Sequence, residues 1–261
     1  MTVDGAQVVE AAVDAQAAAS HAFPSGGLAV VVGASGGIGK AFCQQLRADV
    51  RFSRVLGFSR TPTDSSELAV DITSENSVQD AAASVAAVMA ETSLPLRLVV
   101  VATGFLHGQG HQPERALRQL DVAHMQHAFA VNVIGPALLM KHFLPMLAPQ
   151  GKSAFAALSA RVGSIEDNRL GGWYSYRSCK AALNQMLHTA AIELQRSRPQ
   201  ALCVALHPGT VATHLSSPFA KNGLDLQTPA QSAQRLLSVL DSLPSNATGG
   251  FFDHLGLKIP W

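Results

Sequence analysis

The chain has 261 residues and a formal net charge of +1, from 19 basic and 18 acidic side chains that form no block, so it offers neither a nucleic-acid stripe nor a surface for a polyanion. Hydrophobic residues make up 48% and charged residues 14%, which excludes a disordered, solvating segment and leaves an ordered protein long enough for one α/β domain with a real core. Cys43, Cys179 and Cys203 show no paired or CxxC spacing, so a disulfide framework or zinc ribbon is not expected and a reducing, cytoplasmic compartment fits best. Residues 1–26 are alanine-rich, carry Asp4, Glu10 and Asp14, and lack a basic stretch before an apolar run; they read as an N-terminal extension and not as a signal peptide. No segment approaches the continuous apolar length of a membrane span, so a soluble protein is expected.

Pro24, Gly26 and Gly27 end the extension, and one domain is expected over residues 27–261. "LAVVVGAS" reads as a buried strand running into a glycine turn, "GIGKAFCQQLRAD" as a helix, and "RVLGFSR" and "ELAVDIT" as the second and third strands. "SVQDAAASVAAVMAET" reads as a helix with Ser77 in its cap region, and "LRLVVVATG" as a fourth strand. A loop rich in Gly and His leads to a long helical stretch from about Leu120 to Leu147, then "SAFAALSA" forms a fifth strand. The helix of "WYSYRSCKAALN" and the strand "ALCVALHPG" follow, and the chain closes with a helix near "PAQSAQRLLSVLDSL" and a strand near "GGFFDH". Strands alternating with helices imply a doubly wound α/β fold with a parallel sheet covered on both faces.

The strongest local motif is "GASGGIG", Gly33 to Gly39, between the first strand and the first helix. Glycines there allow a tight turn and let a pyrophosphate approach free N–H groups at a helix N-terminus, where the macrodipole favours an anion. A P-loop is the nearest competitor because Lys40 follows Gly39, but Ala41 stands where a Mg²⁺-binding Ser or Thr is required. The second strand ends in Ser59 and Arg60 with no acid. An acid there would meet a ribose 2′-hydroxyl and an arginine meets a 2′-phosphate, so NADP(H) is favoured over NAD, with a merely solvated Arg60 as the alternative.

Several motifs in order then carry a family resemblance: "GASGGIG", "VDIT" around Asp71, "ATG" after the fourth strand, "VNV" around Asn132, Tyr176-x-x-x-Lys180, and "HPGTVAT". From Leu28 onward the sequence resembles the short-chain dehydrogenases/reductases, nearest to the C-factor-like and sniffer-like carbonyl reductases. That resemblance implies a Rossmann-type sheet of about seven strands and a homodimer or homotetramer built on the long helix and the Tyr176 helix. It implies cofactor contacts at Gly33, Ser35, Gly36, Gly37, Ile38 and Gly39, and at Asp71 and Ile72 beside the adenine. Ala102, Thr103 and Gly104 would pass the cofactor with their backbone, and Pro208, Gly209, Val211 and Thr213 would meet the nicotinamide carboxamide.

The chemistry explains the residue types. Hydride addition to a carbonyl develops an oxyanion that needs a proton, and a tyrosine of pKa near ~10 is a poor base for the reverse reaction unless a cation favours its phenolate. Lys180 lies one helical turn from Tyr176, whereas the one-turn partner of Tyr174 is Ser178. Pro136 has no N–H for the carbonyl of Asn132, so that carbonyl is left free; the resemblance makes this a water-holding break in a proton relay, and a plain proline kink is the alternative. The resemblance also calls for a substrate-orienting serine three residues before Gly163, but that position is Ala160. Ser159 is the first candidate for the missing hydroxyl and Ser164 the second. Residues 214–228, with Leu215, Phe219 and Leu224, are expected to form a substrate loop with an apolar wall. The pairs His107/His111 and His124/His127 lack a third ligand nearby, so no metal is expected. The expected activity is NADP(H)-dependent interconversion of a small carbonyl and an alcohol, with Tyr176, Lys180, Asn132 and Ser159 as the catalytic set. The alternative is a non-enzymatic dinucleotide-binding sensor or signalling protein. A nucleotide-sugar epimerase is disfavoured because little chain follows the sixth strand.

Overall fold

The computed structural model describes residues 22–63, 65–108, 110–213, 215 and 226–261. The strands are β1 (Gly27–Val32), β2 (Phe52–Ser59), β3 (Glu67–Ala69), β4 (Leu96–Val101), β5 (Ser153–Leu158), β6 (Ala201–His207) and β7 (Phe251–Asp253). Among the described residues they form one seven-stranded sheet in the order β3-β2-β1-β4-β5-β6-β7, parallel throughout. The order reverses between β1 and β4, which opens a crevice outside the carboxyl ends of those two strands.

Alternation along each strand divides the core between the two faces of the sheet. Leu28, Val30, Val32, Phe155, Ala157, Cys203 and Ala205 face one side, where they meet α2 (Glu75–Thr92), α4 (Gly135–Phe143) and α5 (Tyr174–Ser197) through Val78, Val85, Leu139, Phe143, Leu183 and Leu187. Ala29, Val31, Ala154, Ala156, Leu202 and Val204 face the other, against α1 (Gly37–Ala48) and α6 (Pro229–Ser242) through Phe42, Leu46, Leu236 and Leu240. Burial on both faces is why the strands read as continuous apolar runs.

Three elements differ from their sequence reading. The third strand is only Glu67–Ala69, because Asp71 leaves the sheet and turns the chain by accepting from Thr73 N and Oγ1 at 2.9 and 2.7 Å. The cap of α2 is Ser74, not Ser77, whose Oγ accepts instead from Asp71 N at 2.9 Å. The helical stretch expected from about Leu120 to Leu147, with a break at Asn132, is four pieces: α3 (Val122–Phe129), a π turn (Ala130–Ile134), α4, and a 3₁₀ turn (Leu144–Met146). Pro136 cannot donate to Asn132, and the Gly135 N–H bonds Ala130 O five residues back, so the backbone widens by one residue there.

The stretch Val122–Met146 also corrects the membrane expectation. Its 25 residues have a best-window mean hydropathy of 1.3, long and apolar enough by composition to cross a membrane. Here it is a broken core element, with Leu139 and Phe143 fully buried against the sheet.

Close approach governs the β1–α1 turn. Gly33 has φ +92°, and a methyl group on it would lie 2.9 Å from Ala102 C. A methyl group on Gly39 would lie 2.0 Å from Gly33 O, so α1 starts directly against the turn. Gly39→Ala is therefore expected to destabilise the fold by about 1–3 kcal/mol through forced displacement of α1, read as a lower thermal midpoint; an unchanged midpoint would contradict this packing.

Candidate active site

The glycine turn leaves the start of α1 open to an anion. Gly36 at the N-cap offers no side-chain cap, and the first turn carries no acid, so its N–H groups point from the turn with the positive end of the helix dipole behind them. Beyond them runs a cleft of about 300 Å³ lined by Gly33, Ser35, Gly36, Ser59, Arg60, Asp71, Ile72, Ala102, Thr103 and Gly104. These ten come from separate motifs of the sequence and meet at the crevice between β1 and β4. Val32, Val70, Thr73, Phe105, His127 and Val131 complete the lining; none is assigned to the cofactor from the sequence, although Val70, Thr73 and Val131 flank Asp71, Ile72 and Asn132 in their motifs and His127 is weighed there as a metal ligand. His127 and Val131 are also one helical turn apart and therefore on one face. An uncapped helix end, a turn with no room for side chains and a long cleft together fit a dinucleotide.

At the β2 end of the cleft, Ser59 Oγ donates to Glu67 Oε2 at 2.8 Å, and Thr63 donates to the same carboxylate from its N–H at 3.1 Å and its hydroxyl at 3.0 Å. The β2–β3 register, Gly57 opposite Glu67, brings this acid there. With Glu67 engaged by Ser59 and Thr63, Arg60 is the cation lining that end of the cleft. Thr73's hydroxyl and N–H hold the Asp71 carboxyl below its usual range, and the charge of Arg60 adds to the effect.

The other end lies against α5. Lys180 is buried; its Nζ donates to Leu158 O at 2.9 Å and sits 5.6 Å from the centroid of the Tyr176 ring. Gly163 lets the β5–α5 loop press on this turn, since a methyl group there would be 2.7 Å from Lys180 Cβ. A methyl group on Gly104 would be 3.5 Å from Asn132 Oδ1 and 4.0 Å from Lys180 Nζ, so the β4 end, the π turn and α5 converge. Asn132 Oδ1 accepts from Phe105 N at 3.0 Å, and its Nδ2 donates to Phe105 O at 2.8 Å and Ala128 O at 2.9 Å. Burial pushes the Tyr176 phenol up, with the Cys179 thiol adding to it, and pushes Lys180 down to about 8. The sequence reading had the lysine lowering the tyrosine, but here desolvation dominates and the ammonium bonds a carbonyl, not the phenol.

The post-β6 loop reaches across the cleft. Gly209 has φ +78°, Val211 is buried and pairs with Gln227, and Thr213 Cγ2 lies 3.3 Å from where a methyl group on Gly37 would be. Pro208 O accepts from Ser232 Oγ at 2.9 Å, tying this loop to α6. Ile38 packs against the core beside α1. Of the expected substrate loop, Leu215 is described, with its carbonyl 3.1 Å from His107 Nε2; Phe219 and Leu224 lie outside the described residues.

The two candidate serines bond to neighbouring protein groups. Ser159 Oγ is buried and donates to Asn184 Oδ1 at 2.7 Å. Ser164 Oγ donates to Trp261 O at 3.3 Å and accepts from Asp167 N at 3.1 Å. Both hydroxyls are engaged by the scaffold, and Ala160 between them is extended, with φ −147°. The second histidine pair also divides. His127 lines the cleft while His124 is buried beside Glu114, and among the described residues no cluster of three metal-ligating side chains forms.

Comparison with known proteins agrees with this geometry. The family model for short chain dehydrogenase matches residues 27–223. The chain is 36% identical over 148 residues to the C-signal of Myxococcus xanthus, spanning 56% of this chain and 84% of that one. It is 31% identical over 195 residues to 1-hydroxy-2-glutathionyl-2-methyl-3-butene dehydrogenase of Rhodococcus sp. (strain AD45), spanning 75% and 80%. The structure of NADPH-bound carbonyl reductase from chicken fatty liver superposes with a TM-score of 0.79 at 27% identity, over 91% of this chain and all of that one (100%). A seven-stranded parallel sheet with a glycine turn at its switch point, Tyr176 and Lys180 at its carboxyl edge, and a family match over most of its length make this chain a member of the short-chain dehydrogenase family.

Proposed function

We propose that the protein is an NADP(H)-dependent reductase that interconverts a small carbonyl compound and its alcohol. The observation that carries this reading is that Gly104, which lines the same cleft as Arg60, lies against Asn132 and Lys180, with the Tyr176 ring beside Lys180. When bound, the nicotinamide supplies or receives the hydride. Tyr176 holds a neutral phenol at pH 7 and donates its proton to the carbonyl oxygen as negative charge develops there. Lys180 keeps an ammonium beside the ring and supports the phenolate left behind. Asn132 holds Phe105 against the π turn and so fixes the wall of the cleft. Arg60 favours the 2′-phosphate of NADP(H), in keeping with the NADPH-bound relative. Three buried thiols suit a reducing, cytoplasmic compartment. Exposed Ile134, Met186 and Ile192 around α4 and α5 suit a homodimer or homotetramer.

A second reading is favoured by one observation, the methyl group of Ala160 where a hydroxyl would polarise the substrate. On that reading the chain binds a dinucleotide and signals without turnover, and the C-signal likeness leans the same way.

Fluorescence titration is expected to show NADPH binding, weakened at least tenfold in Arg60→Ala (about 1.4 kcal/mol) relative to NADH. Reduction of para-nitrobenzaldehyde is expected to vanish in Tyr176→Phe; tight NADPH binding with no turnover of any carbonyl would favour the second reading. Lys180 is charged below about 8 and neutral above it, so reductive kcat is expected to be level near neutrality and to fall as pH rises through that value. A flat profile would remove Lys180 from the step. Ala160→Ser restores a donor for the developing oxyanion and is expected to raise kcat for unactivated ketones roughly tenfold or more, measured as NADPH oxidation; no gain would mean that position 160 does not face the carbonyl.

A further inference from the structure

Helix α5 carries the proposed acid but lacks a cap of its own. Its N-cap residue Trp173 is left-handed, with φ 52°, and makes no side-chain cap bond; its first turn holds no acid. The bonds a cap would make come instead from Glu114, 61 residues away on the loop between β4 and α3. Glu114 Oε2 accepts from Ser175 N at 3.2 Å, its Oε1 accepts from Ser175 Oγ, and its backbone carbonyl accepts from Trp173 N at 2.5 Å. The second helical N–H, that of Ser175, is where a local cap side chain normally bonds. Gly172, φ +66°, lets the loop approach, since a methyl group there would be 3.3 Å from Glu114 O.

Glu114 is 2% exposed, and a carboxylate so buried needs fixed partners. Its neighbour His124, with Nε2 3.7 Å from Oε1, is held below the usual imidazole range by burial and supplies no cation at neutral pH. What compensates Glu114 is the N-terminus of α5 together with the Ser175 hydroxyl. The next residue is Tyr176.

We propose that Glu114 is a positioning residue of this enzyme: from a distant loop it caps α5 and sets the height and rotation of the turn that presents Tyr176. This rests on the reading of Tyr176 as the acid. Small misplacements of a catalytic group cost roughly 10- to 100-fold in rate.

The test uses the full chain, with Glu114→Ala, Glu114→Gln, Ser175→Ala and the Glu114→Ala/Ser175→Ala double variant. NADPH fluorescence titration counts competent sites, and para-nitrobenzaldehyde reduction is then expressed per titrated site, so a fraction of misfolded protein does not enter the rate. Glu114→Ala is expected to lose roughly 10- to 100-fold in kcat per site with NADPH affinity unchanged. Glu114→Gln, which keeps an acceptor for Ser175, recovers most of that loss, and the double variant is no worse than Glu114→Ala. Unchanged kcat per site in Glu114→Ala, a Glu114→Gln as impaired as Glu114→Ala, or additive losses in the double variant would each overturn the proposal. Where Glu114→Ala does not accumulate, Ser175→Ala decides: kcat per site falls, or the proposal fails. Full turnover in Tyr176→Phe sinks the acid assignment itself, and with it the role given to Glu114. Turnover lost in Tyr176→Phe but intact in every Glu114 variant sinks the positioning role alone.

Discussion

Pro136 has no N–H to give to the helical layer that covers one face of the sheet, and the consequences shape the wall of the cleft at Gly104 and Phe105. Where a regular helix would continue, the Gly135 N–H bonds back to Ala130 and the backbone swells into a π turn. Asn132, on that turn, grips both backbone polar groups of Phe105 and the carbonyl of Ala128. The end of β4 is thereby tied to the helix layer within reach of Lys180 Nζ. The π turn and the Asn132 side-chain amide on it together bring three elements into contact that share no sequence neighbourhood.

The two ends of the cleft are held by different physics. At the glycine turn the requirement is an absence of atoms: Gly33 and Gly39 approach so closely that the helix end stays bare. At the α5 end the requirement is burial, which moves Tyr176 and Lys180 in opposite directions and brings both toward their neutral forms. A phenol kept protonated is a proton donor and a poor base.

Much of this was legible in the sequence because it was written in short-range rules. Continuous apolar runs gave the buried strands, the glycine spacing gave the turn, and Tyr176 and Lys180 shared a helical face by their spacing alone. The failures have a common cause. Between Leu120 and Leu147 the proline marks the break at Asn132, but periodicity does not register the one extra residue that makes it a π turn. Ser159 follows β5, and its hydroxyl donates to Asn184, 25 residues on. Glu67 reaches Ser59 only through the β2–β3 register, and Glu114 reaches His124 from a separate loop. Each is a pairing set by tertiary register and not by local spacing.

The order of the motifs along the chain has its own consequence during synthesis. Apart from Phe105, His127 and Val131, the residues lining the cleft fall between Val32 and Gly104, whereas Tyr176 and Lys180 are made more than seventy residues later. β1 also takes both its neighbours, β2 and β4, from this first segment. On the ribosome, most of the cleft lining therefore emerges before the helix that carries Tyr176 and Lys180.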